Sequence, residues 1–439
     1  MHKIKLILLI GFVLEILAET GFGFDRVIFT GFSLKNVILL ILILAVLFSG
    51  SKSKIATMRK RLRFTGAIHR NYALYTFMVL LATAVSVITG LTKNYDLAQA
   101  VISIKSVIID PYLVFLIFLL YPDDRREYEK LLMMCIISIS ILSALTILAS
   151  AISPGMFFGL DNDSARPNGP LGEPNQTAAV LSMVLVMSLA MAMQPGRYRL
   201  VWICCVVFLF GCILESGSRG GLLATLLAIP IFLFSIRRTM GPGKKLMTLL
   251  TMVIGGILTW ILLPDRVHDL ILSRLGILDT SHIDWFKASA GRTYLWAAAW
   301  DKWLESPLIG YGWRGFVTMM GNPTHNSFLE VLISSGPLGL IFYILIFKNL
   351  AILFKKSGKR GIKKERIIIN GYLGSIIALI VAIFFVNLYT PWLVVWAFIG
   401  LMMGYSHIIY EKDKDEVSMD KYVIKSSGCI VVNNQQDRR

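Results

Sequence analysis

The chain has 439 residues, 56% hydrophobic and 16% charged. Soluble domains run nearer half apolar and a quarter charged, so a water-soluble globule is excluded. The formal net charge is +17, but the basic residues gather in short segments between apolar runs, which argues for membrane orientation signals and against nucleic acid.

From the N-terminus, Lys3 and Lys5 precede an apolar stretch interrupted by Glu15 and Glu19, which reads as a first helix and not as a cleaved signal. Apolar runs then recur at 4–20, 32–50, 71–92, 99–121, 130–152, 177–194, 198–215, 220–237, 245–263, 327–353, 368–387 and 392–410. At roughly 20 residues per span they predict an all-α polytopic integral membrane protein of about 12 transmembrane helices. Residues 1–410 form one transmembrane domain, and the charged stretch 411–439 is expected to be a disordered cytoplasmic tail. Cys135, Cys204, Cys205 and Cys212 lie in apolar runs and Cys429 in that tail, so no disulfide framework is implied.

Three basic connectors fall on one side by span count: Lys52 to Arg70, Arg237 to Lys245, and Lys355 to Arg366. The positive-inside rule makes that side, and with it both termini, cytoplasmic. The opposite side receives two long connectors, 153–176 and 264–326. Within the second, Arg292 to Glu305 contains no Gly or Pro and is predicted to form a helix lying at the interface. Lys105 and Asp110 stand inside an apolar run, where charge is costly, and are expected to be paired, cavity-facing or near the end of a span.

Polar constellations cluster on the outer side. Ser216-Gly217-Ser218-Arg219-Gly220-Gly221 is a tight turn whose arginine is rarely incidental at membrane depth; its glycines would let a ligand approach the backbone. Gly291-Arg292-Thr293-Tyr294-Leu295-Trp296 opens the predicted interfacial helix, and Pro307-Leu308-Ile309-Gly310-Tyr311-Gly312-Trp313 follows it, with Arg314 next. Pro323-Thr324-His325-Asn326-Ser327-Phe328-Leu329-Glu330 lies where the chain re-enters the membrane, ahead of Gly336-Pro337-Leu338-Gly339. Two guanidiniums and one imidazole on one face suit a phosphorylated lipid and a proton acceptor. A turn-rich stretch from Arg166 leads to Asn175, expected to cap the next helix. Asp161-Asn162-Asp163 is a weak acid-x-acid match, better explained as an acidic turn than as a metal site.

These segments resemble the O-antigen ligase and polymerase superfamily of bacterial envelope glycan enzymes. The resemblance rests on Ser218-Arg219-Gly220-Gly221, on Gly291-Arg292 with Pro307 and Gly310-Tyr311-Gly312, and on His325-Asn326-Ser327 with Gly336-Pro337-Leu338-Gly339. It implies a glycosyltransferase of the bacterial inner membrane, with its active site on the periplasmic face, that moves a glycan from a polyprenyl (undecaprenyl) diphosphate. Arg219 and Arg292 would bind the diphosphate, and His325 would act as a base with a pKa near neutrality. Arg166, Tyr294, Tyr311, Trp313, Arg314 and Asn326 are expected to contact substrate. Transfer would invert the anomeric centre, and no metal or other cofactor is expected.

The partners implied are the lipid-linked glycan, membrane lipids and an acceptor. That acceptor would be lipid A core for an O-antigen ligase of lipopolysaccharide biosynthesis, a second lipid-linked unit for a polymerase of O-antigen or exopolysaccharide, or a protein hydroxyl for a related protein-glycosylating enzyme. The ligase reading is preferred, on the compact chain. A lipid-linked glycan flippase or transporter is the alternative from another class; few charges lie mid-span, and no internal repeat supports it.

Overall fold

The computed structural model describes residues 27–29, 32–48, 52–152, 173–194, 198–237, 291–387 and 392–426, with a few isolated positions between them. Among these the fold is helical, apart from two short antiparallel strand pairs, Val27–Phe29 with Phe32–Ser33 and Leu160–Asp161 with Arg166–Pro167. The helices are α1 (Leu34–Phe48), α2 (Lys52–Phe64), α3 (Gly66–Thr89), α4 (Leu97–Ile104), α5 (Asp110–Leu120), α6 (Arg125–Ile152), α7 (Pro174–Ala192), α8 (Arg199–Glu215) and α9 (Arg219–Ser235). They continue with α10 (Arg292–Glu305), α11 (Gly315–Met320), α12 (Ser327–Arg360), α13 (Lys363–Ile383) and α14 (Leu393–Ser426).

Among the described residues, seven helices are long and apolar enough to cross a membrane: α3, α4 joined to α5, α6, α7, α12, α13 and α14. The helices α1 and α9 are apolar but shorter, and α8 has 17 residues. Every predicted span that falls on described residues therefore meets a helix, and the chain is a multi-pass membrane protein. The predicted spans 4–20 and 245–263 lie almost wholly outside the described residues. The break expected at Tyr410 is not a helix end, because α14 runs on to Ser426.

Helix α7 is the axis of the bundle, buried along nearly its whole length and packed on α8, α9 and α13. A helix apolar all round suits either lipid or a protein interior, and α7 takes the interior, with 89% of its apolar window buried. Around it α3 packs on α12, and α5 packs on α14. The cap of α7 is Glu173, whose carboxylate accepts from Asn175 N at 3.1 Å and Gln176 N at 2.8 Å. This corrects the expectation for Asn175: a carboxylate one residue before Pro174 meets the free amides of the first turn, whereas Asn175 already sits inside the helix.

Lys105 and Asp110 are paired, with Lys105 Nζ 2.8 Å from Asp110 Oδ2, and Asn36 Nδ2 donates to the same oxygen at 3.0 Å. The pairing depends on a π-helical turn, Lys105–Ile109, between α4 and α5.

The first and third basic connectors lie at one end of the bundle, where Lys60 pairs with Glu411 at 3.5 Å and Arg360 reaches Tyr410. Arg61 is 2% exposed, and its guanidinium donates to the carbonyls of Leu120 (3.1 Å), Pro122 (2.6 Å) and Asp123 (3.2 Å), just past α5. Lys54 pairs with Asp123 at 3.3 Å, and Arg360 donates to Tyr410 O at 3.1 Å. His325 lies at the other end, before the first residue of α12.

Helix α12 is broken at Gly336, where φ is 67° and ψ is −176°, and Pro337 follows without an amide hydrogen. The loop after α10 fills the break: Tyr311 N donates to Ile333 O at 2.8 Å. A Cβ on Gly310 would lie 2.4 Å from Ile333 O, and one on Gly336 would lie 2.1 Å from Leu308 O. Only glycine at both places permits this main-chain contact.

Candidate active site

Three segments from distant parts of the sequence meet at one short turn, Phe384–Val386, after α13. Ser327, the first residue of α12, donates its hydroxyl to Val386 O at 2.7 Å. Phe384 packs against Trp296 of α10 (5.6 Å between ring centroids) and against Phe328 of α12 (6.3 Å). Gly220, beside Arg219, lies so close to Phe385 that a Cβ would stand 2.7 Å from its side chain. The segments carrying Arg219, Arg292 and His325 are thereby gathered at one end of the bundle.

Each is locally fixed. At the start of α9, Ser216 Oγ accepts from Ser218 N at 3.2 Å and donates to Ile213 O at 2.7 Å, while Ser218 caps the helix through Gly221 N at 3.3 Å. The glycines here admit Phe385 and Ala178, so the close approach is made by the protein itself and not by a ligand, as the sequence had suggested. Helix α10 spans the residues predicted for it. Trp296 Nε1 on its inner side donates to Thr324 O at 2.9 Å, pinning α10 to the residue before His325.

His325 adopts φ 53°, uncommon for a residue with a side chain. Asn326 caps α12, its Oδ1 accepting from Phe328 N at 3.0 Å and Leu329 N at 3.1 Å. Capping therefore belongs to Asn326, and the His325 ring makes no hydrogen bond to another described residue. Burial, and then the positive charge of Arg292, push the imidazole down from 6.5 to about 4. The expectation of a pKa near neutrality is corrected: a partly dehydrated ring beside a guanidinium resists a second positive charge. The ring is neutral at pH 7, and Arg292 is close enough to act on it.

The expected substrate contacts divide. Tyr294 is 60% exposed on α10, and Arg314 is partly exposed at the start of α11. Trp313 is fully buried: its indole donates to Ser103 Oγ at 2.8 Å and its amide to Thr83 Oγ1 at 3.0 Å, and Tyr95 donates to its carbonyl. Tyr311 is 2% exposed and donates to Glu305 Oε2 at 3.0 Å; burial and that carboxylate push its hydroxyl up to about 12. These two rings, like the buried Asn326, anchor the loop in this structure, where substrate contact had been expected. The backbone of Arg166 pairs with Asp161; Asp163 lies outside the described residues. Trp296 and Glu330 stand within the polar constellations of the sequence without a role of their own, and Phe384–Val386, three apolar residues, carries no signal.

Residues 203–344 match the family described as O-antigen ligase, a stretch that holds Arg219, Arg292 and His325. The chain is also similar to the exopolysaccharide production protein ExoQ of Rhizobium meliloti (strain 1021), at 26% identity over 174 residues. That alignment covers 35% of this chain and 38% of the relative, so the chain spans well under half of the relative's length.

Proposed function

From the match of residues 203–344 to the O-antigen ligase family and the likeness to an exopolysaccharide production protein, we propose that this chain is an enzyme of the O-antigen ligase and polymerase type that transfers a glycan from a polyprenyl-diphosphate carrier to a hydroxyl acceptor. The observation that carries the reading is the neutral His325 ring beside Arg292, on the same turn that seats the helix start bearing Arg219. A departing diphosphate gains negative charge, which planar guanidiniums stabilise through paired hydrogen bonds better than an ammonium does.

The acceptor oxygen attacks the anomeric carbon, the bond from that carbon to the diphosphate oxygen breaks with inversion, and the hydroxyl proton passes to His325. A pKa near 4 makes a weak base, but a bound diphosphate offsets the charge of Arg292 and raises it in the complex. With charge stabilisation assigned to the arginines, transfer persists in EDTA. Tyr294 and Arg314 are the expected contacts that stand exposed, and Arg166 joins them as a proposed anion contact. The site faces the periplasm and both termini the cytoplasm of a bacterial inner membrane, so tags in 51–70 and 355–366 report cytoplasm and a tag in 264–326 reports the outer side.

The acceptor is lipid A core on the ligase reading, which is preferred here on the compact chain. The exopolysaccharide relative favours a second reading, in which a second lipid-linked unit is the acceptor and chains grow. Purified protein given a polyprenyl-diphosphate glycan and either acceptor distinguishes them, by a single addition or by a ladder. Arg219→Lys and Arg292→Lys should lose transfer despite equal charge. Near-normal transfer in both would exclude paired guanidinium binding, and movement of donor across the bilayer without transfer would return the flippase reading.

A further inference from the structure

Glu330 lies one turn inside α12 and has no exposed surface. A carboxylate taken wholly out of water persists only if hydrogen bonds replace its hydration. Its Oε2 accepts two, from Thr324 N at 3.0 Å and Thr324 Oγ1 at 2.8 Å. The single Thr324 hydroxyl proton is shared between Glu330 Oε2 and Asn326 O, 2.9 Å away, and the hydroxyl accepts from Asn326 N at 3.2 Å, while Thr324 O takes the indole proton of Trp296. Both neighbours of His325 are thus tied down, and the tie on Thr324 ends in one carboxylate.

His325 between them holds its positive φ. For a residue with a Cβ, that conformation lasts only where its surroundings over-determine it. We propose that Glu330 is a positioning residue for His325: through Thr324 it holds the turn in the left-handed conformation that sets the imidazole beside Arg292. The inference rests on the reading that His325 takes the acceptor proton, and it adds to that reading the group that aims the base. Of the charged groups on α10, α12 and α9, Arg292 is the one whose charge is felt at the His325 ring and Glu330 the one bonded to the turn, through Thr324; Phe384–Val386 contributes none. If Thr324 loses its acceptor, the turn can relax to negative φ and carry the ring outward, away from Arg292.

The test follows acylation of each histidine by diethyl pyrocarbonate, which attacks the neutral ring, read peptide by peptide in the full-length protein. In Glu330→Ala, His325 should react roughly ten-fold faster or more, the population shift expected from losing a hydrogen bond to a charged group. Its titration midpoint should move up from about 4 towards 6.5, while His69 and the buried His407 keep their wild-type rates. Glu330→Gln, which retains an oxygen acceptor, should leave His325 slow. Wild-type reactivity and midpoint in Glu330→Ala would overturn the proposal. Should that variant misfold, seen as all three histidines accelerating together, Thr324→Val decides: a faster His325 alone supports the proposal, and an unchanged His325 overturns it. Undiminished transfer by His325→Asn would instead remove the base reading, whatever the acylation rates.

Discussion

Replacing Gly336 by alanine sets a methyl group 2.1 Å from Leu308 O and 2.8 Å from Leu308 C, at a φ of 67° and ψ of −176° that only glycine adopts readily. The backbone conformation alone costs about 1–3 kcal/mol for a residue with a Cβ. The collision is with main chain, so no side-chain rotation relieves it. The loop after α10 must draw back and give up the bond from Tyr311 N to Ile333 O, about 1 kcal/mol more. The sum, about 2–4 kcal/mol, is a large share of the roughly 5–15 kcal/mol that holds a typical protein folded. Gly66→Ala is the matched control, because its Cβ meets nothing within 4 Å. Thermal unfolding of both variants in the same detergent should leave Gly66→Ala within about 1 °C of wild type and lower Gly336→Ala by a few degrees. Transfer should fall in Gly336→Ala alone, since the displaced loop is continuous with the helix that bears Arg292. Coincident melting curves for the two variants would refute the account of the loop as a wedge in the broken helix.

Protonation of His325 sets the acid limit of the reaction. In wild type kcat/KM should hold from neutrality downwards and fall by half near pH 4, and Arg292→Gln, itself without transfer, should move upward the His325 titration midpoint read by diethyl pyrocarbonate; a wild-type midpoint near 6.5 would mean a hydrated, unopposed ring. Because the folded-state pKa lies below the unfolded 6.5, His325 costs no stability above that pH and destabilises the fold as pH falls from 6.5 towards 4; His325→Gln should therefore match wild type in melting at pH 7.5 and exceed it at pH 4.5. Trp313→Phe should cost about 1 kcal/mol through the lost bond to Ser103 and leave the donor KM unchanged, whereas a raised KM with unchanged melting would show that the indole touches substrate. Lys105→Met leaves Asp110 buried without its cation, at about 3–5 kcal/mol; adding Asp110→Leu should recover part of that loss, and strictly additive losses would show that the pair is uncoupled.

What the sequence discloses depends on whether a residue's effect is local. Runs of apolar residues locate the spans because the length of a helix in lipid is set by the membrane, and α10 has its predicted bounds because nothing between Arg292 and Glu305 interrupts it. An aromatic ring in a polar loop serves equally as a surface for ligands or as an anchor to neighbouring helices, so the sequence does not show that Trp313 is bonded to Thr83 and Ser103, more than 200 positions away. Lys105 and Asp110 face directions about 140° apart on a regular α-helix; a wider π turn brings them together, and no residue pattern announces it. Gly336-Pro337 signalled a disturbance but not its occupant, since a main-chain wedge has no side-chain signature. The meeting of Arg219, Arg292 and His325 was inferred from all three lying on one side; the turn that gathers them is three apolar residues with no motif.

Arg61 sits in the connector whose positive charge is expected to orient the chain during insertion, yet in the finished fold it is enclosed and spent on the carbonyls that follow α5. The same guanidinium would thus act at two moments in the life of the protein, first against the translocation machinery and later as the clasp between α2 and α5. Exchanging the charges of this connector wholesale, as is done to invert membrane topology, would remove the clasp as well, and a failure to accumulate would be misread as a failure to insert. Arg59 and Arg63, both exposed on α2, carry the orienting charge without that second duty and can be altered to study biogenesis alone.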